Sequence, residues 1–461
     1  MGFVPSKADQ DLWIRKNTVY NSYDHIAVFV DDIIVSSRDP KTMFAVLQHK
    51  HHCKFKTIDV PEFCNGADIY FDSALGNICL SAKTYLKNVI HKIEHLLNIP
   101  LKNYGAPMVT QDHPEIDESD FLAPEQVKLY QMLIGCAQWA VTLGRYDIQY
   151  ATNTLARYAA FPREGHFKRV LRMFGYLKHH LKHRIEFDPI PPDFSNVLFL
   201  QHDWTNHHPD ITSDMPDDAP LPLKGAPEIA ITGYVDASFA SDIVTRRSTT
   251  GALIFLNRTP IKWHSKRQNT IETSTYGAEL VAARIAVELI IEFRYRCRMM
   301  GLRVTQPSTL FCDNASVIQN TTLPSSTLKK RHNSIAYHKI REAVAAGIVR
   351  IAYCQSSQNL ADLLTKPVSP QDYYQLLNGF LFTRNFGTPQ NPRANFDDQG
   401  ELQLGNSQDS EDSNRTQHVS IMGPQRSPDD TRNESSAPEL PQERDPQVST
   451  TKSTKEPMKD H

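Results

Sequence analysis

The chain has 461 residues, 40% hydrophobic and 22% charged, with a net charge of −2 at pH 7. That is an ordinary soluble composition, long enough for two or three folded units, and no run of about 18 apolar residues offers a membrane span. Seven scattered cysteines without a CxxC pair, and an N-terminus with no basic region followed by an apolar stretch, speak against a disulfide framework and secretion and for an intracellular protein.

Residues 25–35 are two apolar runs split by Asp31 and Asp32, which predicts a β-hairpin with the acidic pair at its tip. Ser36, Ser37, Asp39 and Pro40 break the second run and open a helix. Tyr85, Val89, Ile93 and Leu96 recur at helical spacing, and further helices are expected at about 125–143, 145–158 and 166–181. His49, His51, His52, Cys53 and Cys64 match no common zinc spacing and read as a solvated basic helix end. Residues 203–226, rich in proline and aspartate, read as a linker.

After the linker the texture changes. Three short strands are expected at 229–236, 250–256 and 261–265, then a long helix from Ser274 or Thr275 to about 300. A strand at 309–313, helices near 314–320 and 332–346, a strand at 348–353 and a last helix from about 358 complete a mixed-sheet α/β layout. Residues 227–384 hold 19 Lys and Arg against 11 Asp and Glu, whereas 385–461 hold 8 against 14. A basic folded part fits a polyanion partner, and the polar, acidic remainder reads as a disordered tail.

Glu279 stands in an odd position. Arg284, Glu288, Glu292 and Arg296 recur every fourth residue and form a solvent stripe, while Glu279 falls with Ala283, Ala286 and Val287 on the side that packs against the sheet. A carboxylate aimed at a core needs a cation or a cluster of donors, or else serves the helix N-terminus. Asp236 and Asp313 each end an apolar strand, and Asp362 opens the last helix. Singly, each strand-end aspartate reads as a turn former. Together, four acids at successive element ends could converge at one sheet edge. Clustered carboxylates hold the paired divalent ions, about 4 Å apart, that in-line hydrolysis of a phosphodiester needs.

Gly-Tyr-Val-Asp-Ala-Ser (233–238), Gly-Ala-Glu-Leu-Val-Ala (277–282), Phe-Cys-Asp-Asn-Ala-Ser (311–316) and Asn-Leu-Ala-Asp-Leu-Leu (359–364) resemble, in order, the four motifs of the ribonuclease H fold. Arg-Arg-Ser-Thr-Thr-Gly (246–251), Pro-Ile-Lys-Trp-His-Ser-Lys-Arg-Gln (260–268), Tyr-His-Lys-Ile-Arg-Glu (337–342) and Ala-Asp-Leu-Leu-Thr-Lys-Pro (361–367) resemble the version found in copia-type retrotransposon Pol polyproteins. The resemblance implies a ribonuclease H-like mixed five-stranded sheet with flanking helices. It also implies that Asp236, Glu279, Asp313 and Asp362 bind two Mg²⁺, with Mn²⁺ able to substitute, and cut the RNA strand of an RNA–DNA hybrid. Gly277 stands where copia relatives usually carry a second acid, and residues 354–358 lack the histidine often found before the last acid in cellular enzymes.

Phe-Val-Asp-Asp (29–32) likewise resembles the paired-aspartate hairpin of a reverse transcriptase palm, making Asp31 and Asp32 a polymerase remnant. Only 28 residues precede Phe29, too few for the fingers and the other palm carboxylate, so no polymerase activity is expected of this chain by itself. The implied organisation is a truncated palm at 1–75, a helical thumb or connection region at 76–202, the linker at 203–226, the ribonuclease H domain at 227–384 and the tail at 385–461. Arg246, Arg247, Lys266, Arg267, Lys330 and Arg331 fall near the expected active edge and suit phosphate contacts, whose null is a solvated basic face. His338 is a weaker candidate for approaching substrate. The expected partners are the hybrid and the remaining polymerase and integrase parts of a polyprotein, in a cytoplasmic particle or the nucleus. The alternative is a decayed fragment that binds nucleic acid without turnover. A transposase or integrase is disfavoured by the motif order.

Overall fold

Asp39 starts the first helix because its carboxylate accepts the Thr42 N–H at 3.2 Å and Pro40 has no N–H to leave unpaired. In the computed structural model, residues 1–377 are described apart from 31, 56–60, 73–75, 209, 210, 212–214, 217, 329 and 330. The tail at 385–461, Asp31 and Lys330 therefore lie outside the described residues. Strands β1 (Val4–Ser6), β2 (Asp9–Asn17), β3 (Ser22–Phe29) and β4 (Asp32–Ser36) form an antiparallel meander. The expected hairpin is its second half, paired from His25↔Ser36 to Phe29↔Asp32. Helix α1 (Pro40–His51) follows, then β5 (Phe63–Cys64), β6 (Ala67–Asp72) and β7 (Asn77–Ser81).

Helices α2 (Lys83–Leu97), α3 (Pro124–Thr142), α4 (Gln149–Ala156) and α5 (Glu164–His179) come next, and β8 (Arg184–Glu186) returns to pair with β7. Leu86, Leu133, Phe174 and Ile185 are buried among them. At their centre lies an ion pair, both of whose members are about 1% exposed. Arg145 donates to Asp147 through Nε at 2.9 Å and Nη2 at 2.6 Å, and Tyr176 adds its hydroxyl at 2.6 Å. Burial would push the Asp147 carboxyl up. Arg145 and His183 outweigh it and hold the group well below the usual carboxylate range.

The second half supplies β9 (Ile231–Ser238), β10 (Thr249–Leu256), β11 (Thr259–Arg267), α6 (Thr275–Met299), β12 (Ser308–Cys312), α7 (Ala315–Thr322), α8 (Ser334–Ala345), β13 (Val349–Tyr353) and α9 (Pro370–Leu377). The five strands lie in the order β11-β10-β9-β12-β13, the first three antiparallel and β9, β12 and β13 parallel. The two faces of β10 go to different cores. Ala252 and Ile254 pack with Ala283, Ala286 and Ile290 of α6, while Leu253 and Phe255 join the core that holds Leu133 and Phe174. Leu364, Tyr373 and Leu377 join the same second core. The hydroxyl of Tyr373 donates to the backbone oxygen of Asp147, so α9 is bonded to the ion pair's own turn.

The helix expected from about 358 is replaced by two 3₁₀ turns, Ser356–Gln358 and Leu360–Leu364, with α9 starting only at Pro370. Asn359 explains the break. Its Oδ1 accepts the Ala361 N–H at 3.2 Å and its Nδ2 donates to the Val235 oxygen at 2.9 Å, tying the turn to β9. Pro367 then offers no N–H to continue a helix.

Breaking a buried pair by removing one partner strands the other charge. Arg145→Met should cost about 3–5 kcal/mol of unfolding free energy. Urea denaturation should show that loss, and Arg145→Met with Asp147→Leu should recover part of it.

Candidate active site

Register alone brings two of the acids together. The last pair between the parallel strands β9 and β12 is Val235↔Cys312, so Asp236 and Asp313 are the next residues on neighbouring strands at one sheet edge. Asp313 is half-buried, and Asn314 behind it turns the chain into α7 by accepting the Val317 N–H at 3.1 Å. Glu279 arrives from the first turns of α6, which Ser274 caps by accepting the Gly277 N–H at 3.2 Å. It is 4% exposed and lies with Ala283, Ala286 and Val287 against the sheet.

Asp362 arrives on the 3₁₀ turn, and a glycine lets that turn come close. Gly251 pairs with Asp236 across β10 and β9. A Cβ there would meet Thr365 Cγ2 at 2.6 Å, the Ala361 oxygen at 2.8 Å and Leu364 Cβ at 2.9 Å. Thr365 donates its hydroxyl to Asp236 Oδ2, and Lys366 pairs with Asp362 Oδ2 at 2.9 Å.

The carboxyls report on one another. Burial, then Asp236 and Asp313, push Glu279 up to about 9. Burial and Asp236 push Asp362 up to about 7 against the pull of Lys366. Among the described residues no donor reaches Glu279 Oε2 or Asp362 Oδ1, although both atoms are buried. Ligand atoms of Glu279, Cys312 and Asp313 all lie within 4.8 Å of one another. Oxygen-rich sets suit hard cations such as Mg²⁺. The Cys312 thiol is fully buried and pushed far above its usual range, so it remains a protonated, soft neighbour and the carboxylates are the fitting donors. The orphaned Glu279 oxygen and the Glu279–Asp313 pair fit a divalent cation, with Asp236 and Asp362 acting on them through charge.

The basic candidates divide. Arg246 is exposed on a loop residue with φ +57°, and Lys266 and Arg331 are exposed too. Arg247 is half-buried, and Lys330 is outside the described residues. Arg267 is bound at 2.7 Å to Asp242, which Arg157, the residue after α4, also reaches at 2.7 Å. Burial alone would raise Asp242; the Thr245 N–H, Arg267 and Arg157 bring it down to about 2. The 242–247 loop is thereby tied to the helical region. Asp32 is exposed at the start of β4, and His338 is exposed on α8. Sequence reasoning missed Asn359, Gly251, Thr365, Lys366 and Asp242. The first four stand in stretches whose likeness to known motifs was noted, but their roles need the tertiary approach of the last turn to the sheet.

Fold and site together define an α/β protein with an acidic cluster fit for divalent cations at the edge of a mixed sheet. No family model matches the chain. It is 25% identical over 387 residues to the retrovirus-related Pol polyprotein from transposon RE1 of Arabidopsis thaliana, covering 83% of this chain and 23% of that protein. It is 24% identical over 366 residues to the corresponding polyprotein from transposon TNT 1-94 of Nicotiana tabacum, covering 77% of this chain and 24% of that protein. The chain is similar to retrovirus-related Pol polyproteins of copia-type transposons and spans about a quarter of the length of the curated relatives it matches. Among solved structures it aligns with RNase H1 from the halophilic archaeon Halobacterium salinarum NRC-1 at 15% identity and TM-score 0.23, over 30% of this chain and 94% of that one. It aligns with LC11-RNase H1 in complex with RNA/DNA hybrid at 15% identity and TM-score 0.24, over 29% and 93%. No helix among the described residues is long and apolar enough to cross a membrane.

Two outcomes test this geometry. A folded carboxyl near 9 against an ordinary value of 4.5 binds a proton that the unfolded chain gives up, so metal-free stability falls as pH rises from about 4.5 to about 9. Glu279→Gln should therefore melt above the parent protein in EDTA at pH 8, with the advantage shrinking at pH 5. Gly251→Ala should lower stability and weaken divalent-cation binding together, because the atoms it meets are backbone and Cβ; calorimetric titration with Mn²⁺ reads the second.

Proposed function

We propose that the chain hydrolyses the RNA strand of an RNA–DNA hybrid, as the ribonuclease H part of a retrotransposon Pol polyprotein. What supports this is the approach of Glu279 to Asp313, the charge interactions that link Asp236 and Asp362 to that pair, and the buried oxygens left unsatisfied on Glu279 and Asp362. Kinship with Pol polyproteins supports it. The four carboxylates would hold two Mg²⁺, or Mn²⁺ in their place. Bound there, the ions would supply Lewis-acid chemistry that activates water and offsets charge on the attacking and leaving oxygens.

The residues of the chain do the rest. Thr365 and Asn359 fix Asp236 and the turn bearing Asp362, so the ligands are in place before substrate arrives. With Glu279 raised to about 9, holding a metal ion would require that carboxyl to give up its proton, so activity should climb with pH from 6 towards 9. Exposed Arg246, Lys266 and Arg331 would hold phosphates, giving binding that weakens with salt. The hybrid would be told from duplex DNA by minor-groove shape and 2′-hydroxyls.

The test is cleavage of a labelled hybrid by the full chain in Mg²⁺, beside Asp313→Asn. Cutting of the RNA strand alone, lost in EDTA and falling at least about a hundredfold in the variant, is the expected result. Hybrid binding without cutting would replace the proposal with a catalytically inactive nucleic-acid binder.

A further inference from the structure

Lys366 sits among the acids proposed above to hold metal. Its Nζ is 2.9 Å from Asp362 Oδ2, and the preceding Thr365 donates to Asp236. Adjacent residues of one turn thus satisfy two neighbouring carboxylates, one with a hydroxyl and the other with an ammonium. The ammonium interacts with Asp236, Asp362 and Asp313 together, so its field reaches across the cluster. The Lys366 side chain is 43% exposed where that of Asp362 is 12% exposed. It reaches in from solvent on a flexible four-carbon stem and has open space to return to.

We infer that Lys366 is the resident counter-ion of this acidic cluster, holding its carboxylates together in the metal-free protein and swinging out when a divalent cation enters. The inference rests on the metal-binding reading of the four acids. A divalent ion on Asp362 would lie within a few ångströms of the ammonium, and like charges at that range repel. Metal uptake is then a competition with the chain's own cation. The cluster never stands empty of positive charge, and metal affinity is set below what the four acids alone would reach.

Mn²⁺ binding to the full chain, followed by electron paramagnetic resonance of the free ion, tests this directly. Lys366→Gln should bind Mn²⁺ about tenfold more tightly than the parent, within the usual range for coupled ligands. In EDTA the same variant should melt at a lower temperature, because the carboxylates lose their partner. Lys366→Arg, which keeps the charge, should bind as weakly as the parent. A second readout needs no variant: acetylation of Lys366 in the parent chain, measured by mass spectrometry, should rise when Mn²⁺ is added. Equal or weaker Mn²⁺ binding by Lys366→Gln overturns the inference, as does acetylation that Mn²⁺ leaves unchanged or lowers. If neither the parent nor the variant binds Mn²⁺, the metal reading of the acids falls and the inference falls with it. Equal binding by both removes the inference alone.

Discussion

Carboxylates repel one another, and an edge of a sheet that collects four of them will spread unless the surroundings hold it shut. Much of the second half of this protein answers to that constraint. The parallel pairing of β9 and β12 places Asp236 and Asp313 side by side. The alanine-rich face of α6 carries Glu279 close to them, and Gly251 removes the one methyl group that would keep the turn bearing Asp362 away. The raised pKa of Glu279, the hydroxyl of Thr365 and the ammonium of Lys366 then offset the crowded charge. Each device costs stability or freedom in isolation. They make sense as parts of a site kept ready for cations.

The same economy explains why the helical region is not a separate body. A five-stranded mixed sheet buries strands on both faces, and α6 can cover only one. The other face gives Leu253 and Phe255 to a core built by α2–α5, and α9 closes that core over the Arg145–Asp147 pair. A desolvated ion pair is a weak source of net stability but a demanding one in geometry. Here it dictates where Tyr176 and Tyr373 point, and so how the two halves meet.

What could be read in the sequence follows from the range over which each signal acts. The hairpin at 25–36, the long helix and the strand-end acids rest on local periodicity and on polar residues that end apolar runs, and those survive without tertiary context. The apolar run at 250–256 announced a strand, but not that both its faces are buried or what covers the second. Strand β8 is three residues long, too short for any period to register. Gly251 fell inside an expected strand with nothing local to explain it, because its reason lies at Ala361, Leu364 and Thr365, more than a hundred positions away. The supposed helix at 358 failed because Asn359 spends its side chain on the Ala361 N–H and on the oxygen of Val235, a bond no helical pattern reveals.

The docking of α9 carries a consequence for how the protein is made. The helical region is complete as far as Ile185 well before Tyr373, Leu376 and Leu377 exist to close it. Synthesis proceeds at about 5–20 residues per second, so its apolar face stays open at the ribosome for roughly ten to forty seconds. Docking of α9 is then the step that closes the face left open during translation.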